Sequence, residues 1–249
     1  MLAIIGGSGL AEFAGLEISH RRPAPTPYGE ASAALTFGHI AGRPVVFLAR
    51  HGDEHRLAPH EINYRANIWA LRDCEPLGIV AVAAVGSIRG DLRPGDLLIP
   101  HQIIDYTWGR AATYHEGPGS AVHHVDFTEP YDQHLRRRLC AAAAAAAVAV
   151  SDGGVYAATQ GPRLETAAEI DRLERDGADV VGMTGMPEAA LARELGVPYA
   201  AINVVANCAA GRGDPGQRIS LEAIHQVLEQ AMQPVRRLIE AMLAADDHD

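Results

Sequence analysis

A glycine-rich segment near the amino terminus has the composition of an anion-binding turn. Residues 4–10 (IIGGSGL) place three glycines and the hydroxyl of Ser8 directly after a short apolar run. Backbone N–H groups at the end of a strand can converge on an anion, so phosphate is the expected ligand. A dinucleotide fingerprint would require another glycine and a continuing βα unit, whereas Pro23, Pro25 and Pro27 follow here. A plain tight turn is the remaining alternative.

A second candidate for anion binding is the pair Arg50 and His51, which follows the apolar run Val45 to Leu48. A guanidinium and an imidazole that emerge together from the end of a strand suit an oxyanion. His51, His55 and His60 are alternatively spaced as metal ligands, although no cysteine lies near them in the sequence. A solvated polar loop is the third interpretation of this segment.

Two further predicted strand ends carry small or polar residues. Ala84 lies in the segment Ala83 to Ser87, where small side chains let a ligand approach the backbone, although sheet packing also favours small residues. Thr184 follows the run Val180 to Met183 and precedes a predicted helix. The positive end of that helix makes Thr184 another candidate contact for an anion.

Two polar side chains in predicted loops are further candidates for ligand contacts. Glu165 lies in the Gly- and Pro-containing segment Gln160 to Thr166, and Asn207 follows the run Tyr199 to Val205. An asparagine amide offers both a donor and an acceptor. The alternatives are that Glu165 only stabilises the start of a helix and that Asn207 only forms a turn.

The same sequence indicates which elements position these residues. Apolar runs alternate with segments of helical period, which predicts an α/β fold in a single domain over residues 1–245, followed by a polar tail at 246–249. The predicted strands are Leu2 to Ile5, Val45 to Leu48, Ile79 to Val85, Asp96 to Ile99, Gly154 to Ala158, Val180 to Met183 and Tyr199 to Val205. The predicted helices are Ile62 to Leu71, Tyr131 to Val148, Thr166 to Arg175, Pro187 to Leu195 and Leu221 to Ala245.

Composition and charge argue against several functional classes. The chain has 249 residues and a formal net charge of -10, with no basic face suited to nucleic acid. The sequence has no run of about 18 apolar residues and no basic leader, so we expect a cytoplasmic protein without membrane contact. Cys74, Cys140 and Cys208 are odd in number and widely spaced, which favours reduced thiols.

Taken in order, these segments resemble the trimeric purine nucleoside phosphorylase family, and in particular its methylthioadenosine phosphorylase branch. The resemblance spans nearly the whole chain. The segments that carry it are Gly6 to Leu10, Ala49 to Gly52, Pro59 to Leu71, Gly86 to Ile88, Pro94 to Asp96, Gly161 to Arg163, Gly182 to Thr184 and Pro187 to Glu188. The resemblance implies a mixed central β-sheet flanked by helices, a purine nucleoside substrate, inorganic phosphate as co-substrate, no metal or organic cofactor, and a homotrimer.

The resemblance also implies a role for each candidate residue. The implied phosphate contacts are Ser8, Arg50, His51, the Ala84 backbone and Thr184, with Met183 under the ribose. The implied base contacts are Leu164, Glu165, Asn207 and Ala209. Glu165, Asn207 and His51 are the residues expected to contribute to catalysis. His124 is expected to reach the 5' pocket of a neighbouring subunit.

The base pocket predicts a 6-oxopurine. Adenine-cleaving members of the branch have two aspartates where this sequence has Asn207 and Ala209, whereas members that cleave inosine and guanosine share the Glu165 and Asn207 pattern. An asparagine donates to purine N7 without a change of protonation. Glu165 can accept from N1–H of hypoxanthine, and an unpaired acceptor facing adenine would cost roughly 1 to 3 kcal/mol.

The 5' pocket predicts a methylthio group. Inosine-cleaving members bond the 5'-hydroxyl with a histidine near the start of the last helix, where this sequence has Leu221 and Ile224, with His225 adjacent. An apolar wall favours the methylthio group by roughly 1 to 2 kcal/mol. The expected substrate is therefore 5'-methylthioinosine. The alternatives are phosphorolysis of methylthioadenosine or of ordinary 6-oxopurine nucleosides, nucleoside hydrolysis, and nucleoside binding without turnover.

Overall fold

The computed structural model describes residues 1–8, 13–214 and 219–245. Its strands, in chain order, are β1 Leu2–Gly6, β2 Glu17–Arg22, β3 Pro25–Thr26, β4 Gly29–Glu30, β5 Leu35–Ile40, β6 Arg43–Ala49, β7 Ile79–Ser87, β8 Leu97–Ile99, β9 Gln102–Asp105, β10 Ser151–Asp152, β11 Val155–Ala158, β12 Val180–Gly182 and β13 Tyr199–Cys208. Its helices are α1 Tyr64–Arg72, α2 Gln133–Ala145, α3 Ala167–Arg175, α4 Gly185–Glu194 and α5 Leu221–Ala244, with one 3-10 turn at Asp53–His55.

Eleven of the described strands form one mixed sheet, whose centre is a parallel block in the order β6-β1-β7-β13. On one side β5 and β2 continue the sheet by antiparallel pairing. On the other side β8 pairs antiparallel with β13 and parallel with β10. A branch of β12, β11 and β9 joins the last residues of β7. The carboxyl ends of the central strands therefore meet at one edge, the usual place for a ligand in such sheets.

Successive side chains of a strand point to opposite faces of the sheet, and in the central strands both sets are apolar and buried. One hydrophobic cluster therefore packs against each face. On one face, Ile4, Val82 and Val204 belong to the cluster that includes apolar residues of α2 and α5. On the other face, Ile5 and Val205 belong to the cluster that includes residues of α1 and α4. Parallel strands covered on both faces form a rigid platform for residues at their ends.

Side-chain caps determine where four of the helices begin. The caps of α1, α2, α3 and α5 are Asn63, Asp132, Thr166 and Ser220, each accepting from the backbone N–H three residues later. The cap of α3 is reciprocal, because the Glu169 carboxylate also accepts from the Thr166 N–H at 2.8 Å. This cap fixes Glu165 immediately before the helix.

The predicted fold class is confirmed, and every predicted strand and helix has a counterpart in the structure. The sequence pattern misses β2, whose residues are exposed, and β5, whose apolar run is interrupted by Gly38. It also misses the short strands β3, β4, β9 and β10. Helix α4 includes a first turn at Gly185, but Met186 has extended backbone angles (φ -119°, ψ 140°), so continuous helical backbone begins at the predicted Pro187. None of the described helices combines the length and apolar character needed to cross a bilayer. The tail at 246–249 and residues 9 and 10 of the first motif lie outside the described residues.

Candidate active site

A cavity of about 480 Å³ lies where the carboxyl ends of the central strands meet. Most of the side chains singled out from the sequence line it, although they come from both ends of the chain. They are Ser8, Arg50, His51, Ala84, Leu164, Glu165, Met183, Thr184, Asn207, Ala209, Leu221 and Ile224. The fold therefore assembles one site from segments that the sequence leaves far apart.

Arg50 is held at one end of the cavity by a buried ion pair. Its Nε and Nη2 donate to the two Glu188 carboxylate oxygens at 2.8 and 2.9 Å, and Nη1 donates to the Val82 carbonyl at 2.9 Å. A guanidinium has five N–H donors, so these three bonds leave one N–H on each Nη. Burial alone would lower the pKa of Arg50, but the Glu188 carboxylate raises that pKa above its ordinary value. Arg50 is thus an oriented donor that stays charged.

Gly7 lies too close to Arg50 to carry a side chain. A Cβ at Gly7 would lie 2.6 Å from the Val82 carbonyl oxygen and 2.7 Å from Arg50 Nη1. Only glycine allows the first motif to approach the guanidinium this closely. Because Ser8 follows directly, its hydroxyl lines the same cavity as Arg50.

His51 is buried next to Arg50 and is held in one tautomer. Its Nδ1 lies 2.9 Å from the Leu57 carbonyl oxygen, and a carbonyl only accepts, so the Nδ1 carries the proton. Burial, reinforced by the charge of Arg50, lowers the pKa of His51 to about 4. At neutral pH the imidazole is therefore uncharged, and its Nε2 is a hydrogen-bond acceptor.

His55 also lies at this end of the cavity, a position that the sequence alone does not predict. Its Nε2 lies 3.4 Å from Ser8 Oγ, and its ring centroid lies 4.2 Å from that of His51. Partial burial and the nearby charges of His225 and Arg50 lower the pKa of His55. The four-residue spacing of His51 and His55 is a sequence signal for a shared site, but this spacing is equally typical of metal ligands. Within the described residues, no group of three or more His, Cys, Asp or Glu side chains is placed to hold a metal ion.

Met183 and Thr184 lie at the junction of β12 and α4. Thr184 is buried, and its backbone N–H donates to the Tyr156 hydroxyl at 3.2 Å. The Met183 side chain packs against Gly161, where a Cβ would lie only 2.4 Å from Met183 Sδ. Gly161 also has a positive φ of 60°, a conformation that glycine adopts at little cost. The glycine thus lets the segment before Glu165 lie directly on Met183.

Glu165 and Asn207 line the part of the cavity expected to hold the base. The Thr159 hydroxyl donates to Glu165 Oε1 at 2.5 Å, which orients the carboxylate and leaves Oε2 as a second acceptor. Asn207 Nδ2 donates to the Cys208 carbonyl at 2.6 Å, so one of its two N–H groups is engaged. Asn207 follows a register shift in β13, and Ala209 is buried beside it.

The start of α5 supplies the apolar wall of the cavity. Ile224 is partly buried against the core, whereas Leu221 at the helix start is 67% exposed. Ile219 and Leu228 extend this wall, and His225 also lines the cavity. The apolar surface predicted from Leu221 and Ile224 is therefore present, and the His225 side chain adds one polar group to it.

His124 is the one predicted site residue that does not line the cavity within the described chain. It is exposed and lies in an irregular segment between β9 and α2. This position neither tests nor contradicts its predicted contact, because that contact belongs to a neighbouring subunit. The assignments of all the lining residues to phosphate, ribose and base likewise remain predictions.

Comparison with known proteins shows similarity to one family, the phosphorylases. The family model described as Phosphorylase superfamily matches residues 1–244. A protein from Pseudomonas syringae pv. tomato named probable S-methyl-5'-thioinosine phosphorylase is 52% identical over 243 residues, which cover 98% of each chain. The 6-oxopurine nucleoside phosphorylase of Pyrococcus furiosus is 42% identical over 247 residues, covering 97% of this chain and 91% of the relative.

A solved structure is also similar over the full length of the chain. The methylthioadenosine phosphorylase of Schistosoma mansoni in complex with adenine superimposes with a TM-score of 0.94 at 30% identity. The match covers 100% of this chain and 92% of that one. The similarity in structure extends through the elements that form the cavity.

Proposed function

The chain belongs to the phosphorylase superfamily, and we propose that it catalyses phosphorolysis of S-methyl-5'-thioinosine to hypoxanthine and 5-methylthioribose 1-phosphate. The observation that carries this proposal is one cavity in which Glu165 and Asn207 are accompanied by an apolar wall containing Leu221 and Ile224. The names of the Pseudomonas and Pyrococcus relatives support a methylthio substrate and a 6-oxopurine base, respectively.

Selection of the base depends on the Glu165 carboxylate. Because Thr159 already donates to Oε1, the free acceptor Oε2 is suited to an N1–H donor. Hypoxanthine has that donor and adenine presents a lone pair, so an adenine nucleoside would leave the carboxylate unpaired. The remaining N–H of Asn207 is suited to donate to N7 without any need for a protonated carboxyl.

The geometry at the phosphate end supports an in-line displacement. A phosphate oxygen attacks C1' while the C1'–N9 bond breaks and its electron pair leaves with the purine. His51 Nε2 accepts a hydrogen bond from the P–OH of hydrogen phosphate, and the N–H groups of Arg50 bind the other oxygens. The proton that hydrogen phosphate loses is the one that the free base gains, so atoms and charge balance. Positioning and electrostatic stabilisation account for the rate enhancement.

A second candidate is phosphorolysis of methylthioadenosine, favoured by the similarity to the Schistosoma enzyme. The base pocket argues against it. Asn207 and Ala209 replace the two aspartates expected of adenine-cleaving members, and Ala209 is buried with 3% exposure, leaving a methyl group where a polar contact to the 6-amino group would be needed. The same Glu165 that pairs with N1–H would face adenine N1.

We also propose that the protein acts as a cytoplasmic homotrimer that needs phosphate but no metal or organic cofactor. Support for an assembly comes from the segment that carries His124, where Trp108 and Val122 are 73% and 81% exposed. Exposed apolar surface marks contacts with another chain where it forms a large contiguous patch. Light scattering of the purified protein would distinguish a trimer from a monomer.

The reaction type is tested by incubating the purified protein with methylthioinosine in the presence and absence of phosphate. Products are separated by chromatography, and phosphorus NMR identifies the sugar phosphate. We expect equal amounts of hypoxanthine and 5-methylthioribose 1-phosphate, and no release without phosphate. Phosphate-independent release of the free sugar would instead identify a hydrolase, and no release would identify a binding protein.

A further inference from the structure

Arg110 does not line the cavity, yet it bonds to two of the segments that form it. The side chain is partly buried and follows β9. Its Nη1 donates to the carbonyls of Met183 and Met186 at 2.8 and 2.6 Å. Its Nη2 donates to the carbonyls of Gln160 and Thr159 at 2.8 and 3.3 Å, and Nε donates to Gln160 Oε1 at 3.1 Å. One guanidinium therefore spans the ends of β11 and β12.

Each of these segments carries a residue of the proposed nucleoside site. The Met183 carbonyl belongs to the residue expected under the ribose. Thr159, whose carbonyl accepts from Arg110, also orients Glu165 through its hydroxyl. Gly161 belongs to the first of these segments and packs against the Met183 side chain of the second. Arg110 thus bridges the segment of Met183 and the segment that orients Glu165.

Through Tyr64, the same side chain is linked to a third part of the cavity wall. Arg110 Nη1 lies 3.1 Å from the Tyr64 hydroxyl, and its guanidinium lies 5.3 Å from the centre of that ring. The Tyr64 hydroxyl donates to the Pro59 carbonyl at 2.9 Å, and Pro59 lines the cavity. Among the described residues, the partners of Arg110 are carbonyl, amide and phenol oxygens. The guanidinium is planar and has five N–H donors, so a single Arg110 side chain can bond to these carbonyl, amide and phenol oxygens simultaneously.

We propose that Arg110 is a positioning residue that fixes Met183 and Glu165 relative to each other for the bound nucleoside. This inference rests on the proposed function, because Met183 and Glu165 act there as ribose and base contacts. The phosphate contacts Ser8, Arg50 and His51 follow other strands, to which Arg110 makes no bond within the described structure. Thr184 lies in the segment that Arg110 bonds, but its backbone N–H is also held by the Tyr156 hydroxyl. Loss of Arg110 should therefore impair use of the nucleoside far more than use of phosphate.

Steady-state kinetics of Arg110→Ala and Arg110→Lys, with nucleoside and phosphate varied separately, tests the proposal. The matched control is Arg137→Ala, which removes an exposed arginine bonded within its own helix. For Arg110→Ala we expect kcat/KM for the nucleoside to fall roughly 100-fold, the scale of a 1 Å misplacement, while KM for phosphate changes less than roughly threefold. The control should match the wild type in both constants.

Chemical rescue adds a result that a general loss of stability would not give. Guanidinium chloride at millimolar concentration should restore activity to Arg110→Ala by roughly tenfold or more, because a free guanidinium can re-form the bridge, whereas sodium chloride should not. Arg110→Lys keeps the charge but presents a compact ammonium that cannot span both carbonyl pairs. It should remain folded with kcat/KM for the nucleoside lowered roughly tenfold.

Several results would overturn the proposal. One is a kcat/KM for the nucleoside in Arg110→Lys equal to that of the wild type. If Arg110→Ala does not fold, Arg110→Lys alone tests the proposal. Another is an equal effect on nucleoside and phosphate without rescue. If the wild type cleaves no purine nucleoside, the proposed function fails by itself, and hydrogen exchange then tests the bridge. Arg110→Lys should exchange faster than Arg137→Ala within residues 159–165 and 183–186, and equal exchange would contradict the bridge.

Discussion

Arg50 and Glu188 form a bidentate ion pair between side chains that are 1% and 0% exposed. Two nitrogens of the guanidinium meet the two oxygens of the carboxylate, and the Tyr199 hydroxyl donates to one of the same oxygens at 2.7 Å. The pair holds the proposed phosphate-binding arginine in place while balancing its charge. Removing one partner would leave a buried charge without compensation.

The variant Glu188→Gln removes that compensation while keeping the shape of the side chain. We expect the free energy of unfolding in urea to fall by about 3 to 5 kcal/mol. Saturating phosphate should stabilise the variant more than the wild type, because a bound anion replaces part of the missing negative charge. The control Glu174→Gln removes the carboxylate of an ion pair with Arg212 in which the Glu174 side chain is 58% exposed, and it should cost less than about 1 kcal/mol. Equal stability of Glu188→Gln and the wild type would contradict this account of Arg50.

The pH dependence of stability follows from His51. Its pKa is lowered to about 4 in the folded protein, below an ordinary value of about 6.5, so the unfolded chain binds the proton more readily. This contribution is complete above about pH 6.5 and is lost as the pH falls toward 4. Between pH 7.5 and 5 the wild type should lose about 2 kcal/mol more than His51→Gln in urea unfolding. Both proteins retain His55, so parallel pH curves would show that His51 is not the cause.

Replacing Asn207 with aspartate should introduce a new pH dependence into turnover. An asparagine amide donates to N7 at any pH, whereas an aspartate donates only when protonated. For Asn207→Asp, kcat on methylthioinosine should therefore fall as the pH rises, roughly tenfold or more from pH 5 to 7.5. The wild type should show no such decrease of its own in this range. A flat profile for the variant would remove N7 donation from the mechanism.

The apolar wall is tested with Ile224→Ala. Loss of contact with the methylthio group should lower the ratio of kcat/KM for methylthioinosine to that for inosine by roughly tenfold, corresponding to about 1 to 2 kcal/mol. Ile18→Ala, a 53% exposed apolar residue on β2, serves as the control and should leave the ratio unchanged. An unchanged ratio in Ile224→Ala would place the 5' substituent elsewhere in the cavity.

The sequence predicts the buried half of the fold better than its surface. Runs such as Val45 to Leu48 and Ile79 to Val85 are strands because both faces of the central sheet are covered, which makes these segments continuously apolar. The strand Glu17–Arg22 has all six residues exposed, and its charged side chains resemble a loop. It forms by antiparallel pairing with β5, a contact that local composition does not encode.

Residues of the functional site can likewise be predicted where the signal lies in the neighbouring sequence, but not where it depends on a distant partner. Ser8, Arg50 and Thr184 are predictable because each lies directly after an apolar run, and strand ends of a parallel block converge. The supporting residues Glu188 and Arg110 act through partners 138 and up to 76 positions away. Glu188 belongs to a motif that carries the family resemblance, but its bond to Arg50 requires the folded chain. His225 was adjacent to a predicted pocket, and the helical geometry of α5 decides that it lines the cavity.

Base selection by Glu165 is the central claim, and kinetics on three nucleosides tests it most directly. Wild type and Glu165→Gln are assayed with methylthioinosine, methylthioadenosine and inosine at saturating phosphate, and the released base is identified by chromatography. The wild type should release hypoxanthine from methylthioinosine fastest, roughly 10- to 100-fold ahead of adenine from methylthioadenosine, and Glu165→Gln should lose most of that preference. Comparable release of adenine by the wild type, or an unchanged preference in Glu165→Gln, would contradict the claim.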